Sequence, residues 1–351
     1  MRTDVLRAKL HLKRKLLSVV GFKPHSYVSL HNLESETHLE KIFLRNYSEP
    51  YFSEGQDKRN SRKQGHYFTE RNMYEIKNVI VEPKQGILFS RDGKFILESS
   101  SWHRLHQYIS FPWNPKKVNR VLSIDKGIVL SSNPYGHWLI EDLATTIEAM
   151  NVDQNAPLLV AKNHPKYVSD FLTTTSRKVY LLEGPTLVSS VILVEKGEDS
   201  GWVHSADFKT LLNYRPFELA RKTQMAKKRI YATRLGLKRS PKNENEIVAL
   251  FQRFGFSIID LASLNLLDEI SLIANSEVLA GVHGSTFVNQ IWMRESSIAL
   301  EIVNRNYWTE MDLDQYLGLG IQKEIYSYIG GSNDAVPLEP LEQKLRTLFA
   351  K

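Results

Sequence analysis

The feature that most constrains the fold lies in the second half of the chain, where short apolar runs alternate regularly with stretches that carry apolar residues at helical spacing. Runs rich in Val, Ile and Leu are typical of strands, and apolar residues three and four positions apart indicate helices. Strands that alternate with helices build a parallel sheet. The predicted order is strand 229–233, helix 240–254, strand 256–260, helix 264–275, strand 277–281, helix 285–293 and strand 297–303.

The first half repeats this alternation less regularly. Residues 25–77 are polar and are expected to be irregular, whereas the leucine spacing over 338–349 predicts a terminal helix. We interpret the first half as an open α/β unit and the second half as a succession of Rossmann type. The first half is predicted to contain strands at 79–81, 86–89, 94–97, 127–130, 157–161 and 178–182, a helix capped by Asn133 that reaches Met150, and a helix over 164–175.

The length of 351 residues exceeds the size at which a single hydrophobic core usually stops growing, so more than one core is expected. The predicted division is a basic helix and irregular segment over 1–77, a first α/β lobe over 78–225, a second over 226–330, and a helix in 331–351 that packs back on the body.

Composition excludes several classes of protein. The chain has no cysteine, which excludes a disulfide framework, a catalytic thiolate and a Cys-ligated metal, and which favours a reducing compartment such as the cytoplasm. A net charge of +7 favours anionic partners. No apolar run approaches the roughly 18 residues of a spanning helix, and no secretory signal is expected.

The first 24 residues are locally very basic, with Asp4 as their single acid. Leucines at near-helical spacing predict a basic amphipathic helix, and such a helix suits an anionic membrane surface. A solvated helix docked on the body of the protein remains the alternative.

One strand-to-helix turn predicts an anion site. The segment Gly281-Val282-His283-Gly284-Ser285 follows an apolar strand and opens a helix, where free backbone N–H groups and a hydroxyl meet a positive helix end. Gly284 permits close backbone approach, and Ser285 and His283 supply further donors. A tight turn with a capping serine is the structural alternative.

Two further positions extend this hypothesis. Arg234 and Arg239 follow the strand 229–233, where guanidinium groups can grip a diphosphate; a solvated basic loop is the alternative. Glu301 ends the apolar run Ile298-Ala299-Leu300, a position that suits a ribose diol, although a pair with Arg305 or the cap of a turn would explain it equally well.

The first half carries a candidate acid–base pair. In a helix, His137 and Glu141 stand four residues apart on one face, whereas Asp142 turns away from His137. Such a pair can remove a proton from a hydroxyl nucleophile, and a surface ion pair is the competing interpretation.

These motifs, in this order, resemble glycosyltransferase family 61, whose bacterial members are often labelled capsular polysaccharide biosynthesis proteins. The resemblance runs over about Val129 to Val303. It rests on His-Trp-Leu-x-Glu at 137–141, Arg…Arg-x-x-x-Asn-Glu at 234–244, Gly-x-His-Gly-x-x-x-x-Asn at 281–289 and Leu-Glu-Ile at 300–302.

The resemblance implies a GT-B fold, with two Rossmann-like lobes that face a cleft, and sugar transfer from a nucleotide-sugar donor without an obligatory metal or other cofactor. The lobe 78–225 would hold the acceptor, and the lobe 226–330 the nucleotide sugar. The implied base is Glu141 with His137 beside it, and Asp142 is its rival. The implied donor-binding residues are Arg234, Arg239, His283, Gly284, Ser285, Asn289, which would support the loop, and Glu301, which would contact the ribose.

The sequence therefore predicts an inverting, metal-independent glycosyltransferase of surface polysaccharide (capsule) biosynthesis that acts on a glycan or lipid-linked acceptor. It is expected in the cytoplasm, with peripheral contact to the inner membrane face through the basic N-terminus. A nucleotide-sugar epimerase of the same fold, and a non-catalytic protein that binds nucleic acid or anionic lipid, stay open as alternatives. No nucleic-acid partner is expected, because the sequence shows no recognised nucleic-acid motif.

Overall fold

The computed structural model describes residues 27–28, 41–53, 66–100, 118, 120–122, 124, 126–196, 202–224, 228–237, 240–306, 319–330 and 334–349. These residues fall into two compact units, the first within Met1–Tyr51 and Tyr67–Thr210 and the second within Phe52–His66 and Leu211–Lys351. None of the helices in the described ranges combines the length and the apolar composition that crossing a bilayer requires. The basic segment 1–24 and Arg239 lie outside the described residues.

The first sheet is mixed, with 11 strands among the described residues. Its main path runs β1-β5-β4-β3-β10-β7-β8-β9, while β6 pairs with β10 and β2 pairs with β3 and β11. The strands are β1 Tyr27–Val28, β2 Lys41–Ser53, β3 His66–Glu82, β4 Ile87–Phe89, β5 Phe95–Ile96, β6 Arg120–Leu122, β7 Gly127–Leu130, β8 Leu158–Ala161, β9 Val179–Leu182, β10 Thr186–Val194 and β11 Trp202–His204.

Strands β7, β8 and β9 are parallel to one another, and β7 is also parallel to β10. A helix follows β7 and another follows β8, so this part of the sheet is a βαβαβ unit. The first of these, α1, comprises Tyr135–His137, a π-helical turn over Trp138–Leu143, and Ala144–Val152; the second, α2, is Lys166–Leu172, and α3, Ser205–Asn213, follows β11.

The second sheet has five strands in the order β13-β12-β14-β15-β16, and every neighbouring pair is parallel. The strands are β12 Lys228–Ala232, β13 Ser257–Ile259, β14 Ser276–Val282, β15 Ile298–Asn304 and β16 Gln322–Tyr328. The helices are α4 Arg215–Lys222, α5 Glu244–Arg253, α6 Leu266–Ala274 and α7 Leu338–Phe349, with a 3₁₀ helix over Ser285–Trp292.

The core of the second unit joins the sheet to its helices. Tyr231 on β12 stacks on Phe251 of α5 with ring centroids 4.3 Å apart, and Leu341 and Leu345 of α7 are fully buried in the same cluster. The terminal helix therefore packs in the core of the second unit, and its predicted residues 338–349 are confirmed.

Most predicted strands and helices are confirmed, and both sheets are rich in parallel strands, as a Rossmann-like α/β fold requires. The expectation that 25–77 is irregular is wrong, because β2 and β3 occupy 41–53 and 66–82. Most of β3 was not predicted because it contains polar residues. One of them, Glu75, is nevertheless buried, because its carboxylate binds Ser190 and Lys126. The strands β10 and β16 were also not predicted.

Two predicted helix starts and one predicted helix type need correction. Helix α1 begins after Pro134, because the amide of Asn133 is bound to Asp142 instead of capping the helix. Helix α5 begins at Glu244 instead of Ser240, and the predicted helix 285–293 is 3₁₀. β-branched residues in this last segment, such as Thr286 and Val288, lower its preference for the α conformation.

We predict that Leu341→Ala lowers the free energy of unfolding of the second unit by about 2–5 kcal/mol, because truncation of a buried leucine leaves a cavity. Chemical denaturation followed by circular dichroism measures the change. Leu219→Ala is the control, since Leu219 of α4 is 49% exposed. Equal effects of the two substitutions would contradict the packing of α7 described above.

Candidate functional site

The turn after β14 places backbone donors at the middle strand of the second sheet. The N–H of His283 donates to the carbonyl of Ile302 on β15 at 2.9 Å, which fixes the chain as it leaves the strand. The first helical hydrogen bond runs from the N–H of Phe287 to the carbonyl of Gly284 at 2.9 Å. The N–H groups of Ser285 and Thr286 precede that bond, and Ser285 is exposed. These groups can donate to an anion.

Arg234 reaches this turn from the neighbouring strand. It follows β12, and its Nη1 donates to the carbonyl of His283 at 2.6 Å. Gly284 has φ 150°, in a region that favours glycine, and a Cβ at Gly284 would lie 3.0 Å from that same Nη1. The guanidinium group is thus packed directly against the glycine at the start of the 3₁₀ helix.

Glu244 holds the backbone of Arg234 in place. Its Oε1 accepts hydrogen bonds from the N–H of Arg234 at 2.8 Å, from Thr233 Oγ1 at 3.0 Å and from the hydroxyl of Tyr231 at 3.1 Å. Burial, together with the Glu244 carboxylate, raises the pKa of Tyr231 well above its usual value, so its hydroxyl stays protonated and donates. Glu244 belongs to the motif at 234–244, and that motif alone predicts no role for it.

Glu301 is fully buried between two basic side chains. Its Oε1 lies 2.5 Å from His283 Nδ1, and its Oε2 accepts from Lys323 Nζ at 2.7 Å. Burial alone would raise the pKa of Glu301, but the hydrogen bond from His283 and the charge of Lys323 outweigh burial and lower this pKa. The alternative of a pair with Arg305 is wrong. Sequence reasoning missed Lys323, which lies on β16.

Asn289 anchors the 3₁₀ helix to α6. Its side chain is fully buried, and its Nδ2 donates to Oε1 of the buried Glu269 at 2.6 Å. The position of the turn at Gly284 is therefore coupled to the packing of two helices.

In the first unit, His137 and Glu141 meet as the helical spacing predicted. His137 Nδ1 lies 2.5 Å from Glu141 Oε1, and the Glu141 side chain is 4% exposed whereas that of His137 is 39% exposed. Glu141 belongs to the π-helical turn of α1, a feature frequent at functional sites. The hydroxyls of Thr145 and Thr146 donate to the carbonyl of Asp142, which supports the widened turn.

Asp142 points away from this pair and makes its own contacts. Its Oδ2 accepts from Asn133 Nδ2 at 2.7 Å, and its Oδ1 is paired with Lys196. Burial, and then the charge of Asp142, raise the pKa of Tyr167 to about 12. The Asp142 side chain is 2% exposed, so it is enclosed by its partners.

The described ranges also contain a surface cavity of about 500 Å³. Its wall includes Lys126, Pro157 and Lys178, so it lies at the amino ends of β7, β8 and β9. Ligands of open α/β sheets bind at the carboxyl ends, and the cavity contains none of the predicted site residues. Among the described residues, no group of His, Asp or Glu side chains is arranged to hold a metal ion.

Comparison with known proteins identifies the segment that carries these features. Residues 135–300 match the family model Glycosyltransferase 61. The chain carries a glycosyltransferase 61 domain. No curated protein matches the chain. The glycosyltransferase 61 domain includes the π-helical turn, Arg234 and the turn at Gly284, whereas Glu301 and Lys323 follow the matched residues. The protein is therefore a glycosyltransferase, and the family implies a nucleotide-sugar donor and an acceptor.

We predict that Lys196→Met destabilises the protein by about 3–5 kcal/mol, because it leaves the buried Asp142 carboxylate without its cation. Thermal and chemical denaturation measure the change. The double variant Lys196→Met/Asp142→Asn should regain part of the loss, since no buried charge then remains.

The control is Lys222→Met, which removes a lysine from an exposed pair with Glu218 and should change stability little. A Lys196→Met variant as stable as the wild type would show that Asp142 does not depend on this pairing, and Asp142 would again be a candidate base.

Proposed function

We propose that this glycosyltransferase holds the diphosphate of its nucleotide-sugar donor at the turn between β14 and the 3₁₀ helix. The observation that carries the proposal is the Arg234 guanidinium group, packed on Gly284 and bonded to the carbonyl of His283. This guanidinium group places a fixed positive charge near the N–H groups of Ser285 and Thr286, which precede the first hydrogen bond of the 3₁₀ helix. The Ser285 hydroxyl and His283 complete the set of donors.

The chemistry of sugar transfer suits this arrangement. A departing nucleoside diphosphate accumulates negative charge, and preorganised donors that point to that charge lower the barrier. A guanidinium group binds phosphate oxygens in a bidentate manner, and a helix amino end adds a partial positive charge. In this proposal these groups do the work that a divalent cation does in other transferases, so that no metal is obligatory.

We assign the acceptor proton to His137 and the orientation of its ring to Glu141. The more exposed member of the pair is His137, so its Nε2 is the atom that an acceptor hydroxyl can reach. A Glu141 carboxylate that accepts from Nδ1–H leaves Nε2 as the proton acceptor. Asp142 is not part of this step, because both of its oxygens are engaged by Lys196 and Asn133. Attack from the face opposite the diphosphate gives inversion.

The wider setting is proposed from composition and family resemblance. It comprises the GT-B arrangement, the four-segment division of the chain, a glycan or lipid-linked acceptor, and a role in surface polysaccharide synthesis of the bacterial capsular type. It also includes donor contacts from Arg239, a cytoplasmic location and peripheral membrane contact through residues 1–24.

We predict that Gly284→Ala and Arg234→Lys each weaken binding of nucleoside diphosphates about 10- to 100-fold. The first substitution displaces the guanidinium group, and the second removes its fork, with the loss of roughly one charged hydrogen bond. Calorimetric titration with a panel of nucleoside diphosphates and nucleotide sugars measures the affinities. Circular dichroism confirms that each variant is folded.

Arg215→Lys is the matched control, since Arg215 lies on α4 in an exposed pair with Glu218. Wild-type affinity in both Gly284→Ala and Arg234→Lys would refute the assignment of the donor site. Product analysis of the wild type separates transfer from epimerisation, because an epimerase releases an altered sugar without an acceptor.

We also predict that His137→Ala lowers kcat about 10²- to 10⁴-fold, the usual contribution of a general base, with nucleoside diphosphate affinity unchanged. Steady-state turnover of a nucleotide sugar with its acceptor measures kcat. The control is His164→Ala, because His164 Nδ1 is bonded to the carbonyl of Ala161 in the same unit. An unchanged kcat in His137→Ala would refute its assignment as the base.

A further inference from the structure

The three side chains His283, Glu301 and Lys323 form a chain of contacts across neighbouring strands of the second sheet. Glu301 on β15 is 0% exposed, whereas the side chains of His283 and Lys323 are 11% and 10% exposed. Each carboxylate oxygen of Glu301 has one of these partners, His283 Nδ1 at 2.5 Å and Lys323 Nζ at 2.7 Å. A ribose could reach Glu301 only by displacing one of them.

The hydrogen-bond role of His283 Nδ1 follows from this contact. The partners of Glu301 lower its pKa despite burial, so its carboxylate is ionised and can only accept hydrogen bonds. His283 Nδ1 therefore carries a proton and donates a hydrogen bond to Glu301. The ring orientation is fixed in this way, and Nε2 is left as the nitrogen that a ligand can contact.

Lys323 supplies the opposite charge. It forms an ion pair with Glu301, so the three side chains together carry one net positive charge when both nitrogens of His283 are protonated. The Lys323 Nζ also lies 4.9 Å from the centroid of the Phe287 ring, so the same lysine contacts the 3₁₀ helix that Ser285 begins. Arg234 also contacts His283, through the backbone carbonyl.

Stability alone does not explain this arrangement. A buried ion pair is often no more stabilising than apolar side chains of the same volume, because the cost of desolvation offsets the attraction. Buried charged groups that perturb one another's pKa values also cluster at functional sites.

We propose that Glu301 and Lys323 are positioning residues, which hold His283 with Nδ1–H on Glu301 so that Nε2–H donates a hydrogen bond to the leaving diphosphate. This inference rests on the proposed function. It replaces the ribose contact that the family resemblance implied for Glu301, and it adds a residue from β16, beyond the matched segment.

The step balances in charge and atoms. The acceptor oxygen forms a bond to the anomeric carbon and loses its proton to His137, while the bond from that carbon to the phosphate oxygen breaks. The phosphate oxygen keeps the bonding electron pair. In this step His283 is protonated on both nitrogens, because the adjacent diphosphate anion favours the charged imidazolium form. It stabilises that oxygen through Nε2–H and transfers no proton, and Glu301 and Lys323 remain an ion pair throughout.

The test uses kcat and donor KM for Glu301→Gln, Lys323→Met and Lys323→Arg in the full chain. We expect the first two to lower kcat about 10- to 100-fold, as loss of an orienting partner does at other sites, with donor KM changed by no more than a few fold. Lys323→Arg keeps the charge and should retain most of the activity. Lys344→Met is the matched control, since Lys344 forms a more exposed pair with Glu324.

Two further variants separate positioning from stability. In a His283→Ala background, Glu301→Gln should cause no additional loss of kcat, because both substitutions remove the same interaction. If a single variant fails to fold, the double variant Glu301→Leu/Lys323→Met replaces the buried pair by apolar side chains; it should fold and still lose kcat. Wild-type kcat in the folded double variant, or additive losses with His283→Ala, would overturn the inference.

Failure of the inference is distinguishable from failure of the proposed function. If Arg234→Lys and Gly284→Ala weaken nucleoside diphosphate binding while the Glu301 and Lys323 variants turn over like the wild type, only the positioning role is refuted. If the wild type binds no nucleoside diphosphate, both are refuted.

Discussion

A carboxylate that is withdrawn from water must be matched by a cation or by several donors, and in both units this requirement acts where strands end. Glu301 lies between His283 and Lys323, and one carboxylate oxygen of Glu244 accepts three hydrogen bonds. Asp142 binds Lys196 and Asn133. Each acid holds the backbone or a side chain of a neighbouring strand or turn, so these contacts fix the turns in addition to the hydrogen bonds between strands.

The turn at Gly284 shows how sheet topology creates a site. Strands β12 and β14 are neighbours and parallel, so Arg234 and His283 emerge at the same edge although they are far apart in sequence. The missing side chain of Gly284 provides the space that the guanidinium group occupies. A basic residue and a glycine that look unremarkable separately thus form one surface.

Sequence patterns predicted the elements whose apolar residues follow one period, such as β14 and α7. They failed for β3, in which Glu75 is buried because Ser190 and Lys126 bind its carboxylate. The pair His137 and Glu141 was predictable because helical spacing is local. Lys323 was not, because its contact with Glu301 depends on the pairing of β16 with β15, a long-range property that no local pattern contains.

The 3₁₀ helix that follows the turn at Gly284 is longer along its axis than an α-helix of the same residues would be. Its eight residues rise about 2.0 Å each instead of the 1.5 Å of an α-helix, so the segment is about 4 Å longer than the same residues would be in α-helical form. With Asn289 tied to Glu269, the four steps from Asn289 back to Ser285 contribute about 2 Å of this extra length and extend Ser285 outward. The winding of this short helix, as much as its composition, determines how far its first hydroxyl projects.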